Sequence, residues 1–427
     1  MVFRIVWEEG KKIFLSPIIW VLIIVFIAFN GIIISSNGYL REEIKAISTI
    51  GEKFGHEVNE NLIRNLEIED RENLIRINEI SRKFFDKGNY NSTMEFFQSE
   101  NGQELLNNKE KLGKENYRFL IYAMAIENYR ELIGATEEDY NKVNLIDYGK
   151  AIVEDYGLKG KATKIAKRNY DLLEKRFNEI KETGEQKSLF FHGKSYLMHS
   201  LLFKKIIKYV LFEVTIIAVL ITSFLVNYER DNKNNLLVES TKRGRKNSVD
   251  KFFTSIVGTL ITSFIIIGIT LFIYFMFFNY GGLWQSSISS MFNWEENLPN
   301  ISWFRLSFRS YLMLTIIFIL LVAIIISIIS FSISMISKSS YKTIFLFFIL
   351  FGAIYALPAI IPKSSQFIIW SHFNIFTLIM KSGKWFIGGN PFVSFKYYEI
   401  ITVISSTFMA GLIAIFSYKK YKREDLV

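Results

Sequence analysis

Long apolar runs alternate with charged stretches along this chain, and the two textures hardly mix. Apolar runs occupy about Ile18–Ile34, Ile206–Val226, Phe252–Phe278, Tyr311–Ile336, Thr343–Ile361 and Glu399–Tyr418. About 20 residues at 1.5 Å rise cross the hydrocarbon core of a bilayer, so each run predicts a transmembrane helix. No such run occurs in residues 36–204. There the apolar positions recur at helical spacing: Leu62, Leu66, Leu74 and Ile77, then Phe119, Leu120, Tyr122, Ala123, Ile126 and Tyr129, then Ile165, Tyr170, Leu173 and Phe177. Breaks near Gly88, Gly102, Gly134, Gly157 and Gly184 divide this part into five or six expected helices. At roughly 165 residues it is long enough to bury a core of its own.

The stretch 227–251 fixes the orientation. Eleven of its 25 residues are charged, seven basic and four acidic, and it lies between two apolar runs. A short loop this basic belongs on the cytoplasmic side. Residues 36–204 then lie outside, and the expected fold is an all-α membrane protein: six transmembrane helices, with a large extracytoplasmic α-helical domain between the first and second. Residues 1–35 read as an interfacial helix with Trp7 at headgroup depth, followed by the first span, which Pro17 opens. The first run is longer than a signal-peptide core and no A-x-A site follows it, so no cleavage is expected. Residues 205–427 hold the other five spans. Within them, residues 363–398 are aromatic but broken by Gly388, Gly389 and Pro391, which predicts a hairpin dipping into the outer leaflet under protein cover. Lys338 and Lys342 mark a small inner loop, and the sixth span ends inside in Lys419, Lys420, Lys422 and Arg423. Both termini are therefore expected in the cytoplasm.

Charge sharpens this division. Between Ser36 and Phe203 there are 29 acidic and 26 basic residues, so the formal net charge of +10 comes from the membrane part and its flanks. That pattern suits loops held at an anionic leaflet and argues against nucleic acid as a partner. The absence of cysteine excludes disulfides, thiolate nucleophiles and cysteine-based zinc sites. Abundant Ile, Lys and Asn suit an AT-rich bacterial genome. No GxxxxGK[ST] phosphate cradle is present. His56-Glu57 does not continue to HExxH, because Glu60 holds the second histidine's place. Glu295-Glu296 resembles the pair of intramembrane CAAX-type proteases, but Asn300 stands where their arginine belongs. His192 and His199 share a helical face seven residues apart, too few ligands for a metal site. Neither hydrolysis nor a metal is expected, and the chain is not read as an enzyme.

Four residues are candidates for a translocation path. Glu213 lies about two turns inside the second span, where an unpaired carboxylate is costly. It either lines a path for a cationic group or is neutralised, by a proton or by Lys208 or Lys381. Ser327, Ser330 and Ser334 form a stripe on the fourth span; such stripes more often permit close helix packing than contact a substrate. Thr259, Thr262, Ser263 and Thr270 on the third span read the same way. The basic stretch is longer than a turn needs. Leu236-Leu237-Val238 among its charges suits a short helix docking into a groove on another protein.

These residues resemble the ABC-2 family of ATP-binding-cassette transporter permeases. Glu9, Lys11, Lys12, Ser16 and Pro17 match the family's elbow helix. Glu229, Leu237, Ser240, Thr241, Arg245 and Lys251 fall at the places of its basic segment, with Val238 for the second leucine. The chain departs from the pattern at Lys233-Asn234, where the family has Gly-Thr, and at Lys242, where it has proline. The resemblance covers about 260 residues and leaves residues 36–204 unexplained. It implies a subunit with no ATPase and no cofactor of its own, ATP and Mg being held by a partner ATPase subunit. The working unit would be two permeases, identical or paralogous, and two ATPases. Glu229, Leu236, Leu237, Thr241, Arg243, Arg245 and Lys251 would couple ATP hydrolysis to spans two and three.

The expected function is thus the permease subunit of an ATP-driven exporter in a bacterial cytoplasmic membrane, moving an amphipathic substrate such as a peptide, peptide antibiotic or lipid-like molecule. The alternative is a membrane sensor whose helical outer domain binds a ligand, although no signalling domain follows. An ion-coupled carrier ranks third, since it needs intramembrane acid–base pairs and only Glu213 qualifies by sequence.

Overall fold

The computed structural model of the chain describes residues 2–85, 88–241 and 244–423. Among them every regular element is helical, and β-structure is confined to three isolated bridges. Six helices are long and apolar enough to cross a membrane, which gives the chain the character of a multi-pass membrane protein.

The amphipathic α1 (Val2–Phe14) buries Glu9 and Ile13 and leaves Trp7 exposed. Pro17 opens α2 (Pro17–Ser36), as its fixed φ and missing N–H allow. The polar part then comprises α3 (Arg41–Phe54), α4 (Glu60–Phe85), α5 (Thr93–Gln98), α6 (Glu100–Asn107), α7 (Lys109–Leu112), α8 (Lys114–Asn141), α9 (Leu145–Asp155) and α10 (Gly160–Thr183). This exceeds the five or six helices expected, and two of the expected breaks are not breaks. Gly134 lies within α8 and Gly102 within α6. A mid-helix glycine costs only about 1 kcal/mol. Burial of Tyr129, Ile133 and Tyr140 along α8 outweighs that, at roughly 1.5–3 kcal/mol for each large apolar side chain.

The second span is longer than expected. α11 (Met198–Ser200), a π-helical turn (Leu201–Ile206) and α12 (Ile207–Asp231) form one apolar stretch from Gly193 to Asp231. A short α13 (Asn235–Glu239) and α14 (Asn247–Phe277) follow. The expected 25-residue loop 227–251 is therefore corrected. Its first five residues complete α12 and its last five open α14, leaving 232–246 as the connector. The charges expected to end the helices do not end them because they find partners there: Glu229 pairs with Lys251, and Ser340 donates to Asp231.

The remaining spans are α15 (Phe308–Ser337), α16 (Ser340–Ala356) and α19 (Tyr398–Arg423). Between the last two, α17 (Phe367–Trp370) and α18 (Ile375–Met380) occupy the expected hairpin. That segment does more than cover the spans. Tyr170 donates to Gly389 O at 2.8 Å, Asn169 to Ser394 O at 3.1 Å, and Lys159 N to Lys363 O at 3.1 Å, so its flanks hold α10 and the turn before it. α12 is the buried axis of the bundle, against which α2, α14, α15 and α16 pack. α16 and α19 instead leave long apolar faces uncovered, Phe345, Phe348, Phe408 and Phe416 among them. Such a belt is stable against lipid rather than water.

One apolar cluster runs without a break from Ile23 and Val214 in the spans, through Phe190, Phe191 and Phe292, to Leu173 and Phe177 in α10. The polar part therefore does not have the fully separate core its length allowed. Only its distal corner does, built from Ile77, Phe96, Leu105 and Leu120. We call the end of the bundle beneath α3–α10 the domain end and the opposite one the connector end.

Candidate functional site

At the connector end a partly buried cluster of charge joins three helices. Glu229 on α12 accepts from Lys12 of α1 at 2.9 Å and from Lys251 of α14. Lys12 also reaches Glu9 at 2.9 Å, and Asn247 of α14 donates to Glu9 at 3.4 Å. Burial pulls the Lys12 ammonium down, but its bonds to Glu229 and Glu9 outweigh that and hold it above the ordinary lysine value. The desolvation of such ion pairs offsets much of their attraction, so they are weak evidence for stability. Here the arrangement fixes α1, α12 and α14 to one another directly beneath the connector.

A second knot fastens the last helix. Arg245 donates to the carbonyls of Tyr421 at 3.3 Å and Lys422 at 2.7 Å, and pairs with Glu239 at 3.5 Å. Tyr421 donates to Glu239 at 3.0 Å, and the Arg230 and Arg245 guanidiniums lie 4.8 and 5.6 Å from its ring centre. Between these knots α13 presents Leu236, 55% exposed, and Leu237, 74% exposed. Thr241 shapes the turn after it, donating to Val238 O at 2.7 Å and accepting from Gly244 N at 3.2 Å. Arg243 lies outside the described residues. Of the predicted coupling residues, Glu229, Lys251 and Arg245 thus form the base, Thr241 the turn, and Leu236 and Leu237 the free apolar surface.

The four predicted path residues do not come together. Glu213 is 4% exposed and accepts from Asn30 of α2 at 2.9 Å, while Asn30 also reaches Thr270 of α14 at 3.1 Å. It makes no ion pair with Lys208 or Lys381 among the described residues; its partner is a carboxamide, and its Oε1 has none. The result is a polar clamp across three spans. Ser327 bonds Thr259 at 3.3 Å and Ser334 bonds Thr343 at 3.3 Å, while the Ser330 hydroxyl is buried without a partner. All three serines are fully buried at helix contacts, the close-packing role.

Glu213 is also not alone. Glu399, in the first turn of α19, is 2% exposed; it accepts from Phe386 N at 2.7 Å and leaves its other oxygen unpartnered. Glu399 is thus a second buried acid beside an apolar span, and like Glu213 it has no basic side chain paired with it among the described residues. The loop before α19 folds over it, although it stands at the very start of its apolar run. His199, with both ring nitrogens unpartnered, stacks on Tyr311 at 5.7 Å. Among the described residues no three metal-ligating side chains gather. Glu295 and Glu296 act as fasteners. Glu295 accepts from Ser200 N at 2.8 Å, and Glu296 bridges Lys204 at 2.7 Å and Lys384 at 3.1 Å.

An apolar groove among the spans lies elsewhere. A groove of about 390 Å³ runs between α15, α16 and α19 beneath the start of α18, lined by Ile329, Ile333, Leu350, Phe376, Met409 and Ile413, with Asn374, Ser332, Ser405 and Ser406 among them. None of the four predicted path residues lines it. Sequence reasoning missed it because it results from how α16 and α19 splay on α15, a relation no single helix encodes. Asn30 was within reach: it is the lone carboxamide in an apolar run. No family model, no curated protein and no solved structure matches the chain.

Proposed function

We propose that this chain is the membrane subunit of an ATP-driven exporter, moved by a separate ATPase that docks on the connector. The observation carrying this reading is the Leu236–Leu237 surface on a base of buried ion pairs. An apolar pair on a five-residue helix has no core to join within the chain. A force applied there passes through Glu229 and Lys251 into two full-length spans. Lys233 adds support. It adopts φ 59°, a conformation natural to glycine, at the place where the resembled family carries glycine. The connector end would face the cytoplasm, α3–α10 the outside, and a second copy or paralogue would complete the unit. The aliphatic groove opens between α16 and α19, both of which leave long apolar faces uncovered. That supports an amphipathic substrate whose apolar part enters from the bilayer.

The chain has no cysteine, so Leu237→Cys offers a single labelling site. In intact host cells it should resist a membrane-impermeant thiol reagent and become reactive after permeabilisation. A bifunctional reagent at that position should capture a protein that hydrolyses ATP. Labelling from outside, or capture without ATPase activity, would overturn the reading.

A further inference from the structure

A cavity of about 580 Å³ lies at the domain end, where three distant segments meet: the turn after α3, the turn after α10 and the chain entering α15. Its walls are extended backbone rather than free loops. Glu57 bridges Ser188 and Ser287 bridges Ser307, with Val58 N bonding Lys187 O and Ile288 N bonding Leu306 O, each at 3.0 Å. The volume is that of a small-ligand site, for which roughly 300–1,000 Å³ is usual.

Two charges lining it lack a complement, and a third is only half satisfied. Arg305 and Glu57 are exposed, and neither side chain has an ion pair or hydrogen bond among the described residues. Glu185 is buried. One of its oxygens pairs with Arg176 at 2.6 Å, and its Oε1 is buried without any partner. An orphaned buried acceptor is costly, so it favours a donor brought close from outside. The start of α15 supplies no competing anion site. Its first amides are taken: Phe308 N by Ser286 O, Arg309 N by Trp284 O, and Ser310 N by the Ser307 hydroxyl.

We propose that this cleft binds a short peptide with free ends, its α-carboxylate on Arg305 and its α-ammonium on Glu57, beside the buried, unpartnered Oε1 of Glu185. A guanidinium fits a carboxylate bidentately. A simple anion would meet the two glutamates and a simple cation would meet Arg305. A ligand carrying both ends complements both signs. The inference is independent of ATP-driven transport, because binding is measured on this chain alone.

The test is calorimetric titration of the full chain in lipid nanodiscs with tetra-alanine and with its N-acetylated and C-amidated forms. Tetra-alanine should bind saturably, and each blocked form should bind at least about tenfold more weakly, equivalent to about 1.4 kcal/mol. Arg305→Ala should lose the discrimination against the amidated form and keep that against the acetylated one; Glu57→Gln should do the reverse. Both side chains are exposed, and an unchanged melting point without peptide verifies folding. Absence of saturable binding, blocked forms binding as tightly as the free peptide, or variants that keep both discriminations would each overturn the proposal.

Discussion

Glu229 carries two ammonium partners in a largely buried site, and this decides how the connector end responds to mutation. Removing Lys251 leaves a buried carboxylate with Lys12 alone, and breaking such a pair costs about 3–5 kcal/mol. Replacing both members with neutral residues of similar size is far milder. We therefore expect Lys251→Met to destabilise the chain strongly and the double variant Glu229→Gln with Lys251→Met to recover most of the loss, measured as a double-mutant cycle of thermal unfolding in detergent. Additive effects would show that the pair contributes nothing. These two residues were legible as charges with a place in a basic segment. Their contact was not, because 22 positions separate them and only the antiparallel run of α12 and α14 brings them together.

At the scale of elements, the domain end is held by close backbone approaches as much as by side chains. α3 crosses the turn after α14 so tightly that a Cβ on Gly51 would stand 2.6 Å from Gly282 O, and one on Gly282 only 2.3 Å from Glu52 N. Neither obstacle is a flexible side chain, so the backbones must separate. Gly282→Ala should cost about 1–3 kcal/mol, the usual penalty of overpacking. Loss of stability should come with greater protease sensitivity of α3, whereas an unchanged melting point would refute the crossing. Periodicity made α4, α8 and α10 readable, because their apolar stripes are long. It could not place the breaks, since a glycine such as Gly134 is tolerated wherever packing on both sides holds the helix.

For the whole molecule, Glu296 joins the loop before α15 to the π-helical turn and to the hairpin through Lys204 and Lys384. Burial alone would raise its carboxyl, but the two ammoniums prevail and hold it at about 2, against an ordinary value of 4.5. A depressed carboxyl contributes stability that is complete above the ordinary value and is lost as pH falls through the folded one. The melting-point advantage of the native chain over Glu296→Gln should thus be constant near neutrality and shrink between pH 4.5 and 2. It should also be reduced by salt, since Glu296 is half-exposed. A gap that persists at pH 2 would exclude this linkage. The number of spans and the helical character of the polar part lay in the order of residues alone, because hydropathy and periodicity act within single segments. The reach of α12 and α14 into the basic stretch, the Asn30–Glu213 clamp, the burial of Glu399, and the groove and cleft were decided by tertiary structure. Each depends on which distant segments share a depth or a wall, and that is settled only when the helices pack.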